Sequence, residues 1–148
     1  MKKLIYKIFL FYWWIFRPHT YGIKVLLKHG NKILLISNSY DIYSKWNIPG
    51  GGYNNKKETK EKACVREIRE ELGINIQLNK LTHIGEYYSE AEYKKDHVNI
   101  YLYELSLDFN LSQIKTNYEI KSFIFFTKEE IVNLQVFKIV KYAIALLK

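Results

Sequence analysis

Cysteine is almost absent from this chain of 148 residues: Cys64 is the only one. An intramolecular disulfide is therefore excluded, a cysteine-rich zinc site is ruled against, and a reducing compartment suits the count. Proline occurs twice, and no stretch rich in Pro, Gly or Ser interrupts the sequence, so no interdomain linker is expected. Internal repeats and low-complexity segments are missing as well. No arginine-rich tract stands out. The apolar run from Leu4 to Phe16, broken only by Lys7, falls short of the roughly 20 residues that a membrane-spanning helix needs. It resembles a signal peptide superficially, but Arg17-Pro18-His19-Thr20 lacks the small-x-small pattern of a cleavage site. A cytoplasmic protein is expected.

What is present fits one packed domain. The length supports a core without staples, and 48% hydrophobic with 16% aromatic residues excludes a disordered chain. The net charge is +8 and the pI about 9.4, so the surface attracts anions: nucleotides, nucleic acid or an acidic lipid face. Charge alone does not choose among them. The lysines are scattered (Lys2, Lys3, Lys24, Lys28, Lys56, Lys57, Lys94, Lys95, Lys138, Lys141), which favours general solubility over an RNA-binding face.

The chain divides into an N-terminal apolar and aromatic helix over 1–18 and a domain over 19–148. Two uses of that helix stay open. It packs on the domain or on a second copy in a homodimer, or residues 1–17 make peripheral membrane contact with Tyr12, Trp13 and Trp14 at headgroup level. Tyr21–Lys28 and Lys32–Ser37 read as strands joined by the turn His29-Gly30-Asn31. Further strands are expected at Ile74–Leu78, Thr82–Tyr88, His97–Leu107 and Ile120–Phe126. Val136, Val140, Ala143, Ile144 and Leu147 carry helical spacing within a C-terminal helix over Leu134–Leu147. Strands on both sides of a central helix imply an α/β fold, a mixed sheet sandwiched between helices.

That central helix is the clearest in the sequence, with Thr59 as N-cap and Gly73 as the residue after its last turn. At about 100° per residue, Cys64, Val65, Ile68 and Leu72 share one side. Glu67, Glu70 and Glu71 gather roughly opposite, with Arg66 at their edge. Three adjacent carboxylates repel one another, and a hard divalent cation among them relieves that repulsion. An amphipathic surface helix laced with i,i+4 pairs would show a similar run, so the flanking residues decide.

Gly52, Glu58, Arg66, Glu67, Ile68, Glu70, Glu71, Gly73 and Ile74 fit G-x5-E-x7-R-E-U-x-E-E-x-G-U, with U aliphatic. Chance agreement at one position is about 10⁻⁹ or less from ordinary residue usage. The pattern is the signature of the Nudix hydrolases, and the chain resembles that family over Gly52–Ile74. The lead-in Trp46-Asn47-Ile48-Pro49-Gly50-Gly51 looks similar too. The resemblance implies a Nudix-type α/β/α sandwich and Mg²⁺, with Mn²⁺ as a substitute. It implies Glu67, Glu70 and Glu71 as metal ligands, joined by Glu58 from the loop, and Arg66 as the partner that orients Glu70. Gly50, Gly51, Gly52 and Gly73 would set loop and helix geometry.

The implied reaction is attack of water on phosphorus in a nucleoside diphosphate derivative, NDP-X giving NMP and P-X. The general base stays open among the box glutamates, Glu119, Glu90 and Glu92. Outside the box, Trp46, Tyr43, Tyr88 and His97 are candidates for holding the nucleotide, with Tyr40, Tyr87 and Tyr93 nearby; ordinary packing is the competing role for each. An RNA 5′ end is the alternative substrate. A non-catalytic nucleotide sensor is the alternative function, for which a damaged box would be expected, and this box is intact. Cys64 falls on the apolar side and reads as core.

Overall fold

The computed structural model describes residues 2–148; Met1, part of the expected N-terminal segment, lies outside them. In chain order the elements are α1 (Lys2–Phe16), β1 (His19–His29), β2 (Lys32–Asn38), β3 (Trp46–Asn47), α2 (Lys60–Leu72), β4 (Thr82–Ser89), β5 (Lys95–Leu105), β6 (Ile120–Thr127), α3 (Lys128–Val132) and α4 (Lys138–Leu146). The six strands form one mixed sheet in the order β3-β2-β1-β5-β4, with β6 on β2. β1 and β5 run parallel along their whole length, and the other pairs are antiparallel. An α/β sandwich around a mixed sheet is what the sequence pattern implies.

Strand alternation divides the core into two layers. Ile23, Val25 and Leu27 of β1 and Leu34 and Ile36 of β2 face α2, where they meet Ala63, Cys64, Ile68 and Leu72. Leu26, Ile33 and Leu35 point through the other face onto Ile131 of α3 and Val140 and Ala143 of α4. Each such aliphatic side chain contributes about 1.5–3 kcal/mol on burial. Cys64 is fully buried, and burial pushes its thiol up to about 12, so it is a packing group.

Two expected elements need correction, and one helix is added. Ile74–Leu78 is not a strand. Ile74 and Ile76 are buried, but the segment pairs with no neighbour, since Thr82–Ser89 already occupies the outer edge of β5. The C-terminal helix begins at Lys138 rather than Leu134, because residues 135–137 run beside Trp46: Trp46 N donates to Gln135 O and Phe137 N to Trp46 O. The short α3 carries a full capping box between Thr127 and Glu130, an N-terminal signal left unread in the sequence.

The site is positioned by a split in the sheet. β1 and β2 pair only at Lys28↔Ile33 and His29↔Lys32 and then diverge. The loop 49–53 fills the opening: Val25 N donates to Pro49 O and Ile23 N to Gly51 O, while Tyr53 N donates to Tyr21 O, each at 2.9–3.0 Å. The glycine loop is thus held as an extra edge along β1.

Candidate active site

α2 starts at Thr59, whose hydroxyl accepts from Lys62 N, and closes on Gly73 at φ 68°. Glu58 therefore projects from the loop just ahead of the helix. The expected acidic side needs correction for Glu71. Seven residues after Cys64, it shares the face of Cys64 rather than lying opposite the apolar residues, and it is 6% exposed, while Glu67 is largely buried and Glu70 half exposed.

Two charged side chains converge on Gly50. Its amide donates to Glu71 Oε2 at 2.8 Å, and its carbonyl accepts from Lys24 Nζ at 3.0 Å; Lys24 also donates to Ile48 O at 2.8 Å. Gly50 sits at φ 128°, where a Cβ would come within 2.3 Å of Ile23 O, so no other residue fits. At Gly51 the constraint is the site itself: a Cβ would meet the Glu67 carboxylate at 2.8–2.9 Å. A Gly51→Ala chain must push that carboxylate aside while its backbone stays unstrained. We expect hydrolysis to fall roughly 10- to 100-fold, as for displacements near 1 Å, with stability changed by less than about 1 kcal/mol. Steady-state rates beside a melting curve check this.

Arg66 ties the remaining carboxylates together. Its Nη2 and Nε donate to the two oxygens of Glu58 at 2.6 and 3.2 Å, and Nη1 donates to Glu67 at 2.6 Å and Glu70 at 3.3 Å. Nη2 also reaches Gly52 O at 3.3 Å. The expected partner of Glu70 is thus the hub of three glutamates, a wider role than the sequence implies. Its hydrogen bonds hold the Glu58 carboxyl below the usual carboxylate range.

Burial dominates the electrostatics of the inner pair. Desolvation raises Glu71 to about 7, opposed by Lys24 and the Gly50 amide. Glu67 is also raised by burial, against the pull of Arg66. Lys24 is lowered by desolvation, and Glu71, Glu67 and Asp96 resist that shift. Among the described residues, no three His, Cys, Asp or Glu side chains are gathered closely enough to form a ready metal cage; Arg66 and the Gly50 amide between them engage one oxygen each of Glu67, Glu70 and Glu71. The donor set nevertheless fits a hard divalent cation. It is all carboxylate oxygen, Glu67 is packed against a position that only glycine leaves open, and both inner carboxylates lack full compensation for their charge.

The substrate candidates scatter. Trp46 packs in the layer on α3 and α4, edge-on to Phe126 at 5.2 Å, on the sheet face opposite α2. Tyr43 is exposed, with Lys45 Nζ 5.4 Å from its ring. Tyr88 and His97 do come together, with centroids 5.1 Å apart, and the sequence missed what joins them. His97 stacks on Tyr21 at 5.5 Å and on His19 at 5.3 Å, with ring nitrogens of the two histidines 3.0 Å apart. Beside this stack lies a cavity of about 370 Å³ lined by His19, Thr20, Tyr21, Gly52, Tyr53, Asn54 and Asn55. It adjoins the carboxylates through Gly52.

Of the other base candidates, Glu90 accepts from Tyr88 Oη and Glu92 from Tyr6 Oη. Glu119 is the carboxylate outside the box whose charge raises Glu71. Lys24 is the principal residue that sequence reasoning passed over. Its signal was a single lysine inside the apolar run Ile23–Leu27.

The NUDIX domain profile matches residues 17–146. Among solved structures, the MutT NUDIX hydrolase of Burkholderia pseudomallei is 19% identical with a TM-score of 0.72, covering 88% of this chain and 98% of that one. The MutT protein of Methanosarcina mazei Go1 gives 20%, 0.73, 88% and 93%. A bifunctional NMN adenylyltransferase/ADP ribose pyrophosphatase of Francisella tularensis, complexed with AMP and a Mn ion, gives 19%, 0.77, 96% and 45%. These likenesses concern the fold. No curated protein matches the sequence. With the profile spanning nearly all of the chain, this protein belongs to the NUDIX domain family and is a hydrolase of phosphorus-containing anhydrides.

Proposed function

We propose that the chain is a Mg²⁺-dependent pyrophosphohydrolase of small nucleotides, converting NDP-X into NMP and P-X. The observation that carries this is the meeting of Glu67 and Glu71 at the Gly50–Gly51 loop, with Lys24 and Arg66 behind them. Glu67 and Glu71 would hold the cation, with Glu70 and Glu58 beside them. When bound, such a cation offsets charge on the diphosphate oxygens and acidifies water.

The protein's own groups do the rest. Arg66 keeps Glu58, Glu67 and Glu70 in fixed rotamers. Lys24 balances the buried charge of Glu71. A carboxylate, from the box or Glu119, takes a proton from the water that attacks phosphorus in line with the departing phosphate. The P–O bond between the two phosphates breaks, and NMP leaves.

The cavity by Tyr21 and His97 suits a nucleobase, because flat rings at a cleft rim stack on any base. Stacking contributes about 1–3 kcal/mol, so Tyr21→Ala should raise KM by roughly ten- to a hundredfold with kcat nearly unchanged. Equal KM values for mutant and wild type on the preferred nucleotide would remove the base from this site. The naming of the Francisella relative for ADP-ribose favours a nucleoside diphosphate joined to a second group. The test is a hydrolysis panel of nucleoside triphosphates, nucleotide sugars and dinucleotides with Mg²⁺, repeated with Mn²⁺ and with EDTA. Metal-dependent release of NMP supports the proposal, and no turnover of any member sinks it.

A further inference from the structure

α1 precedes residues 17–146, which the family profile matches, and rests on the domain by one side. Tyr6 donates its hydroxyl to Glu92, and Lys94 Nζ sits 4.7 Å over the ring of Trp13. With Leu10, these residues follow i, i+4, i+7 spacing and form the inner face; Leu10 and Trp13 are partly covered. On the opposite side, Leu4, Ile8, Phe11 and Ile15 repeat the same spacing and are 50–64% exposed. Ile5, Tyr12 and Phe16 widen that stripe, while Lys3 and Lys7 line its other flank with Trp14. Among the described residues nothing covers it.

We infer that this outer stripe docks on an anionic lipid bilayer, with the helix lying in the interface. Two features select a bilayer over a second copy of the chain, and a third, helix length, sets the helix in the interface rather than across it. No acidic residue occurs before Asp41, while Lys2, Lys3, Lys7 and Arg17 are all basic, so two copies meeting at α1 repel one another and an anionic surface attracts both. Tyr12 and Trp14, both exposed, flank the stripe near the end of the helix beside Arg17, the composition that settles at headgroup depth, while Trp13 faces the domain. The helix has 15 residues, about 22 Å at 1.5 Å each, against roughly 30 Å of hydrocarbon, and among the described residues no helix is long and apolar enough to cross a membrane. A short apolar stripe flanked by lysines, held against a folded domain by its inner face, lies flat rather than spans.

Flotation of the full chain with vesicles tests this without any turnover, so its failure is separate from failure of the hydrolase proposal. The chain should float with mixed phosphatidylcholine and phosphatidylglycerol vesicles and about tenfold less with phosphatidylcholine alone. Ile8→Glu with Phe11→Glu should cut binding to the anionic vesicles about tenfold or more, while circular dichroism stays that of the parent. Phe109→Leu, remote from α1, should float like the parent. The inference is overturned if the parent does not float, if the double variant floats equally well, or if the parent is a dimer that the double variant converts to monomer without vesicle binding.

Discussion

Glu71→Gln is expected to lower metal-dependent hydrolysis by at least about 100-fold while leaving the fold as stable as before, or more so. A ligand in direct contact with the cation should exceed the 10- to 100-fold effect typical of groups that merely orient ligands. The glutamine oxygen can still accept from the Gly50 amide, which is 2.8 Å from Glu71 Oε2, so the loop keeps its anchor. Stability moves the other way because the native carboxyl, raised from 4.5 to about 7 by burial, is disfavoured in its charged form. Between those values the folded protein holds a proton that the unfolded chain has released, so stability falls as pH rises through this window and stays lowered above it. The penalty is roughly 3 kcal/mol, with the opposing pull of Lys24 already included. Calorimetry in EDTA should show the parent's Tm declining from pH 5 to 7.5 more steeply than that of Glu71→Gln. A variant that melts lower than the parent at pH 8 would show that Glu71 holds the fold together.

Such a cost at a box position explains which parts of the molecule were legible beforehand. The motif fixes which residues matter, and the caps Thr59 and Gly73 bound the helix that bears them, since both signals are local in sequence. Grouping Glu71 with the exposed glutamates followed its polarity rather than its angle: seven residues from Cys64, it shares that buried face, where a backbone amide and a lysine meet its carboxylate. Ile74–Leu78 alternates like a strand and buries Ile74 and Ile76, yet lacks a neighbour to pair with, which only topology decides. Trp46 and Tyr21 make the same point about aromatics. One points into the layer over α4 and the other lines the cavity, and the difference arises from which strand edge the glycine loop occupies.

Lys24→Met is expected to destabilise the fold by about 3 kcal/mol. Methionine keeps the length of the stem but removes two charge-assisted hydrogen bonds, to Ile48 O and Gly50 O, each contributing about 1.5–3 kcal/mol. It also strips the buried Glu71 of its countercharge, so the penalty on that carboxyl grows. Urea unfolding measures the loss, and activity should fall with it because the loop carrying Gly50 and Gly51 loosens from β1. The double variant Lys24→Met/Glu71→Gln separates the two contributions. With a neutral glutamine at 71 there is no buried anion to abandon, so adding Lys24→Met to Glu71→Gln should cost clearly less than adding it to the parent, the difference being the coupling of the pair. A cycle with no coupling would mean that Lys24 serves only the two carbonyls, and that the charge of Glu71 is balanced from elsewhere in the site.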